Sequence, residues 1–115
     1  MSKHDDHVTM RQMLDHTREA ITLARDKSRQ DLDTNRMLNL ALTRLLEIIG
    51  EAASRISSDY QEAHPSVPWQ QIVGLRNRLI HGYDIVDFDI LWDIIQHDLP
   101  SLVHAIEKIL ESNNP

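Results

Sequence analysis

Apolar residues recur along this chain at three- and four-residue intervals, with polar residues between them. From Met10 they fall at Met13, Leu14, Thr17, Ala20, Ile21 and Ala24. That period predicts an amphipathic helix from about Asp6 to Lys27. The polar stretch SRQDLD interrupts the pattern, and Asp33 stands where it would cap a second helix. A wide apolar stripe then runs through Met37, Leu38, Ala41, Leu42, Leu45, Leu46, Ile49, Ala52 and Ile56. Gly50 lies inside it at a cost of roughly 1 kcal/mol against alanine, which points to a close helix–helix approach. SSDYQEAHPSVP, with two prolines, reads as a loop. Ser66 gives a weak start signal for a third helix over about Pro68 to Ile80, and Gly82 gives a stop. Asp84 or Asp87 would cap a fourth helix. It carries Phe88, Leu91, Trp92, Ile95, Leu99, Leu102, Val103, Ile106, Ile109 and Leu110. Pro100 inside that run predicts a kink or a split. Strand alternation is absent. The pattern therefore predicts an all-α fold, an up-and-down bundle of four helices, or five if Pro100 divides the last.

Length and composition narrow this picture. The 115 residues fit a single domain, 1–115, with one modest core. Aromatic residues are 4% of the chain, so aliphatic side chains must build that core. The net charge of -6 argues against a broad basic face tracking DNA or RNA, while a local basic pocket stays open. Cysteine is absent, which excludes disulfide and thiolate chemistry and suits the cytoplasm. The opening MSKHDDHVTM lacks the apolar run of a signal peptide, and no stretch approaches the length of a membrane span. A soluble cytoplasmic protein is expected.

The unusual chemistry is concentrated in GLRNRLIHGYDIVDFD, from Gly74 to Asp89. Its basic half holds Arg76, Arg78 and His81, and its acidic half holds Asp84, Asp87 and Asp89. On a regular helix Arg76 and His81 lie about 140° apart, while Asn77 and His81 share a side and Arg76 nearly eclipses Tyr83. A last turn loosened at Gly82 would let all four meet. Two readings stay open here: a site, or basic residues at a helix end where the dipole favours them. The run Asp84, Asp87, Asp89 and Asp93 suits the start of the next helix better than a calcium loop, which would need a glycine and a terminal glutamate that this run lacks. His97 and His104 lack a third ligand for zinc. Glu47 and Glu51 are either a solvated edge of the second helix or partners for an arginine of the basic patch.

RNRLIHGY also matches a family signature. Arg76, His81 and Tyr83 stand at the RxxxxHxY spacing, and the chain here resembles the HepT-like toxins of the HEPN superfamily of helical ribonucleases. The likeness extends to RLLEIIGEAASRIS and to HPSVPWQQIVGLRNRLIHGYDIVDFDILWDIIQHDLPSL, covering about residues 36–110. The resemblance implies a homodimer whose two motif segments share a cleft. It implies a metal-independent ribonuclease with no cofactor, with Arg76 and His81 catalytic and Asn77 and Arg78 supporting. It also implies a toxin of a type VII toxin–antitoxin system, paired with a minimal nucleotidyltransferase antitoxin that AMPylates Tyr83. The competing expectation is a non-catalytic acceptor or binding subunit of a nucleotidyltransferase complex. The expected partners are thus RNA, a second copy and the nucleotidyltransferase, with no DNA and no membrane.

Overall fold

The computed structural model describes residues 5–82 and 85–112. Helix α1 spans Asp6–Ala24, opened by Asp5, whose side chain accepts hydrogen bonds from the backbone N–H groups of His7 and Val8. It buries the predicted stripe from Met10 to Ala24 and ends three residues earlier than the periodicity suggested. Arg25 is extended and Asp26 has φ 66, a left-handed conformation that aspartate tolerates better than most residues.

Asp33 does not cap the second long helix. It lies in a one-turn helix, α2 (Asp31–Thr34), and the cap of α3 (Arg36–Arg55) is Asn35, whose side chain accepts from Leu38 N at 3.0 Å. The buried Asn39 holds the two together by donating to the Leu32 carbonyl at 2.9 Å. Helix α3 is the central element. Leu42, Leu46 and Ile49 are fully buried on it, α1 packs along it, and α5 and α6 rest against it.

The loop reading of SSDYQEAHPSVP needs correction, because residues Ser58–Ala63 form helix α4. Ser57 caps it by accepting from Tyr60 N, and donates through its own N–H and hydroxyl to Asp6 at the start of α1. The predicted third helix is two short ones, α5 (Trp69–Val73) and α6 (Leu75–Leu79), broken at Gly74. Ser66 does not cap α5, whose N-terminal flank is Pro68. Trp69 is buried and donates its indole N–H to the His64 carbonyl at 3.0 Å.

Gly50 meets the predicted close approach. A Cβ there would stand 3.0 Å from the Ile72 backbone carbonyl oxygen of α5. Gly50→Ala is therefore expected to destabilise the fold. Alanine favours the helix by about 1 kcal/mol, but forcing α3 and α5 apart costs about 1–3 kcal/mol. A lower melting temperature checks this, and an unchanged or higher one contradicts it.

After α6 the chain departs from the all-helical expectation. Strands β1 (Ile80–His81) and β2 (Ile85–Val86) pair antiparallel, Ile80 opposite Val86 and His81 opposite Ile85. Two-residue strands are too short to leave an alternation in the sequence. Three of the four residues are β-branched and suited to an extended backbone, and Gly82 takes φ 59 to start the turn. Asp87 caps α7 (Phe88–Asp93), as one of the two predicted caps; Asp84 lies outside the described residues.

The last helix is divided just before Pro100, as its position in the run predicted. The chain passes from α7 through a π-helical turn, Ile94–Asp98, into α8 (Leu99–Ser112). Proline offers no N–H to the carbonyl four residues back and its ring crowds it; the wider turn just before Pro100 relieves that conflict. Helix α8 packs on α1, where Arg18 pairs with Glu107. Arg29 joins the other end, donating to Asp33 at 3.0 Å and Asp89 at 2.6 Å, with Phe88 beneath it at 5.9 Å. Hydrogen bonds to Asp33 and then to Asp89 hold its pKa above the ordinary arginine value. The fold is all-α in class, apart from the small hairpin. Among the described residues no helix is long and apolar enough to cross a membrane.

Candidate active site

The three motif residues of α6 point to three different surroundings, as successive positions about 100° apart on a helix must. Arg76 lines a cleft of about 800 Å³ between α3 and the hairpin, with Arg36, Leu40, Arg44 and Glu47 on one wall and Ile80, Ile85 and Phe88 on the other. Its Nε donates to Glu47 Oε2 at 3.3 Å, and its two terminal nitrogens make no hydrogen bond among the described residues. Glu47 is the more enclosed partner, 21% exposed against 59% for Arg76. The pair thus leaves the outer edge of a planar cation presented to the cleft. Glu51 pairs with Arg44 at 3.3 Å. Both glutamates singled out in the sequence therefore meet arginines, but only Glu47 meets one of the motif.

Asn77 lines a separate groove of about 420 Å³ with Gln61, Trp69, Gln70 and Val73. It makes no hydrogen bond to His81 among the described residues. Arg78 is engaged elsewhere: it donates to Asp98 Oδ2 at 2.9 Å and ties α6 to the π-helical turn. His81 sits on β1, not on the helix, with its side chain 57% exposed and Nε2 3.7 Å from Asp87 Oδ2. A single chain therefore does not bring Arg76, Asn77, Arg78 and His81 together. Tyr83 lies outside the described residues.

Asp87 reads in the sequence only as a candidate helix cap, because nothing in the periodicity shows that a hairpin folds it back toward His81. Met37, which its spacing placed in the apolar stripe of α3, is instead 83% exposed, and the cleft residues Ile85 and Leu40 are 66% and 51% exposed. Among the described residues no group of three or more metal-binding side chains is present. His97 Nδ1 faces Asp93 Oδ1 at 2.9 Å.

The chain is a ribonuclease of the HEPN type by its family match, and it carries an arginine with an open edge and an exposed histidine at the turn between a short helix and a hairpin on an all-helical body. The chain belongs to the family described as Ribonuclease HepT-like, whose model matches residues 13–109. It is 38% identical over 109 residues to the candidate RNase MJ1380 of Methanocaldococcus jannaschii, covering 95% of this chain and 100% of that protein. It is 37% identical over 100 residues to the probable ribonuclease HepT of Thermococcus cleftensis, covering 84% and 91%. A candidate RNase, TTE0752, of Caldanaerobacter subterraneus subsp. tengcongensis is 38% identical over 82 residues, covering 71% and 73%. No solved structure matches at a significant level.

Proposed function

We propose that this protein is the toxin of a two-component toxin–antitoxin system and cleaves RNA without a metal, in a cleft shared by two copies. The observation that carries this reading is the exposure of both motif residues: Arg76 keeps its terminal nitrogens available in the cleft, and His81 stands open to solvent on the hairpin that follows α6, the only one among the described residues.

The chemistry follows from the groups. The ribose 2′-oxygen attacks the adjacent phosphorus while the bond to the 5′-oxygen breaks, giving a cyclic phosphate and a free 5′-hydroxyl. One imidazole takes the 2′-hydroxyl proton and another donates a proton to the leaving oxygen. Histidine serves both roles near neutral pH. Arg76 offers its two terminal nitrogens to the phosphate, where charge builds in the transition state. A chain with one motif histidine supplies one proton-transfer group, and pairing supplies two. Met37, Leu40 and Ile85 support pairing on this face, since contiguous exposed apolar side chains mark interaction surfaces. Asn77 and Arg78 act in support, Arg78 by bracing α6 through Asp98.

The test is RNA incubated with the purified protein in excess EDTA. Products ending in a cyclic phosphate and a 5′-hydroxyl are expected; dependence on added magnesium refutes the mechanism. The antitoxin is a minimal nucleotidyltransferase that moves AMP from ATP to the Tyr83 hydroxyl, releasing pyrophosphate. The added phosphates then compete with RNA for Arg76. Mass spectrometry after co-expression is expected to find one or more AMP units on Tyr83, with none on a Tyr83→Phe variant. A neutralised complex with unmodified Tyr83 would favour inhibition by binding alone.

A further inference from the structure

Asp87 is held more firmly than a helix cap requires. Its backbone N–H donates to the Leu79 carbonyl at 2.8 Å, fastening it to the end of α6 across the hairpin. Its Oδ1 accepts from Asp89 N at 3.0 Å and Ile90 N at 3.1 Å, which commits that oxygen to capping α7. The other oxygen, Oδ2, takes no part in the cap and faces His81 Nε2 at 3.7 Å. One carboxylate therefore has its orientation fixed by a helix on one side and a catalytic imidazole on the other.

We propose that Asp87 is the positioning residue of the RNA-cleaving site: its Oδ2 receives the Nε2–H of His81, so that Nδ1 is the nitrogen that exchanges protons with RNA. The proposal rests on the ribonuclease reading above. A neutral imidazole carries one N–H, and a carboxylate only accepts. With Nε2–H directed at Asp87, the lone pair on Nδ1 is the one left to take the 2′-hydroxyl proton. The same carboxylate then stabilises the imidazolium without itself becoming protonated. On the second copy, Nδ1–H of the protonated ring gives its proton to the leaving 5′-oxygen, and the proton count closes. The present 3.7 Å is an ion-pair distance; hydrogen bonds of this kind tighten when substrate engages the ring. Asp87 is held by α6 and α7 together, so a small turn of the His81 ring is the movement needed.

The cap and the histidine contact separate by substitution. Asparagine and serine are both good N-caps, so Asp87→Asn and Asp87→Ser are expected to melt within a few degrees of the wild type. Asp87→Ala loses the cap as well and melts lower. Serine is too short to reach His81. In Asp87→Ser kcat is expected to fall at least about 10-fold, approaching the ~10⁴-fold seen when a tautomer-fixing carboxylate is neutralised elsewhere, with KM nearly unchanged. ¹⁵N spectra of the His81 ring read the tautomer without RNA: the neutral ring should carry its proton on Nε2 in the wild type and redistribute toward Nδ1 in Asp87→Ser. Identical ring spectra in the two proteins, or an unchanged kcat, overturn the proposal. If the spectra differ as expected while wild-type protein cuts no RNA, it is the ribonuclease reading that fails and the Asp87–His81 pair that stands.

Discussion

Replacing His81 with alanine is expected to slow RNA cleavage by about 10²–10⁴-fold, the usual loss when a positioned proton-transfer group is removed. The fold should be unaffected, because His81 is exposed and its backbone, not its side chain, pairs with β2. Arg76→Ala should cost about 10²–10³-fold by removing charge stabilisation at the phosphate. It also has a second effect particular to this structure. Glu47, now without its cation, would face the incoming phosphate with a bare carboxylate in the cleft. RNA binding should therefore weaken beyond the loss of the arginine alone, and adding Glu47→Gln to Arg76→Ala should recover part of the binding but not the turnover. Cleavage rates and equilibrium binding to a 2′-O-methyl oligonucleotide separate the two. Cleavage that survives both Arg76→Ala and His81→Ala would assign the activity to other residues.

Placing aspartate at Met37 and Leu40 together should convert a dimer to monomers and abolish cleavage in the same protein. Both side chains are exposed in the isolated chain, one helical turn apart on α3 beside the Arg76 cleft. Burying each against a second copy is worth about 1.5 kcal/mol at the low end. Both copies lose both side chains, about 6 kcal/mol in all, which weakens the dimer about 10⁴-fold, before the cost of facing new carboxylates toward each other. Val8→Asp, at another exposed apolar position on α1, serves as the control and should leave both mass and activity unchanged. Sedimentation at micromolar concentration measures the first effect. A Met37→Asp/Leu40→Asp monomer that cleaves RNA at the wild-type rate would show that one chain is sufficient and remove the argument for a shared cleft.

Much of the fold was legible because it depends on local rules. The stripes of α1, α3 and α8 bury most of the residues their spacing indicates, with Met37 on α3 the exposed exception, and Gly50 marks the contact between α3 and α5. The boundaries were less legible. Asn35 and Asp33 are both good caps two residues apart, and the choice between them was made by Asn39, whose buried amide needs the Leu32 carbonyl presented by a separate turn. The break before Pro100 was legible, but its form as a π-helical turn was not, since packing on both sides decides how the chain accommodates the lost hydrogen bond.

The candidate site divides in the same way. The residue types and the five-residue interval from Arg76 to His81 are sequence properties, and they were sufficient to place this chain beside its ribonuclease relatives. The sequence by itself also determined the helical class and most of the apolar faces, and narrowed the cap of α7 to Asp84 or Asp87, because each follows from side chains a few positions apart. Only the tertiary structure decided what those residues face. It set Glu47 against Arg76 across 29 positions, turned Arg78 toward Asp98, and separated Asn77 from the cleft. It also folded the acidic half of the segment back so that Asp87 meets His81. A hairpin two residues long leaves no periodic trace, and a carboxylate's second oxygen acquires its partner from packing, which no local interval encodes.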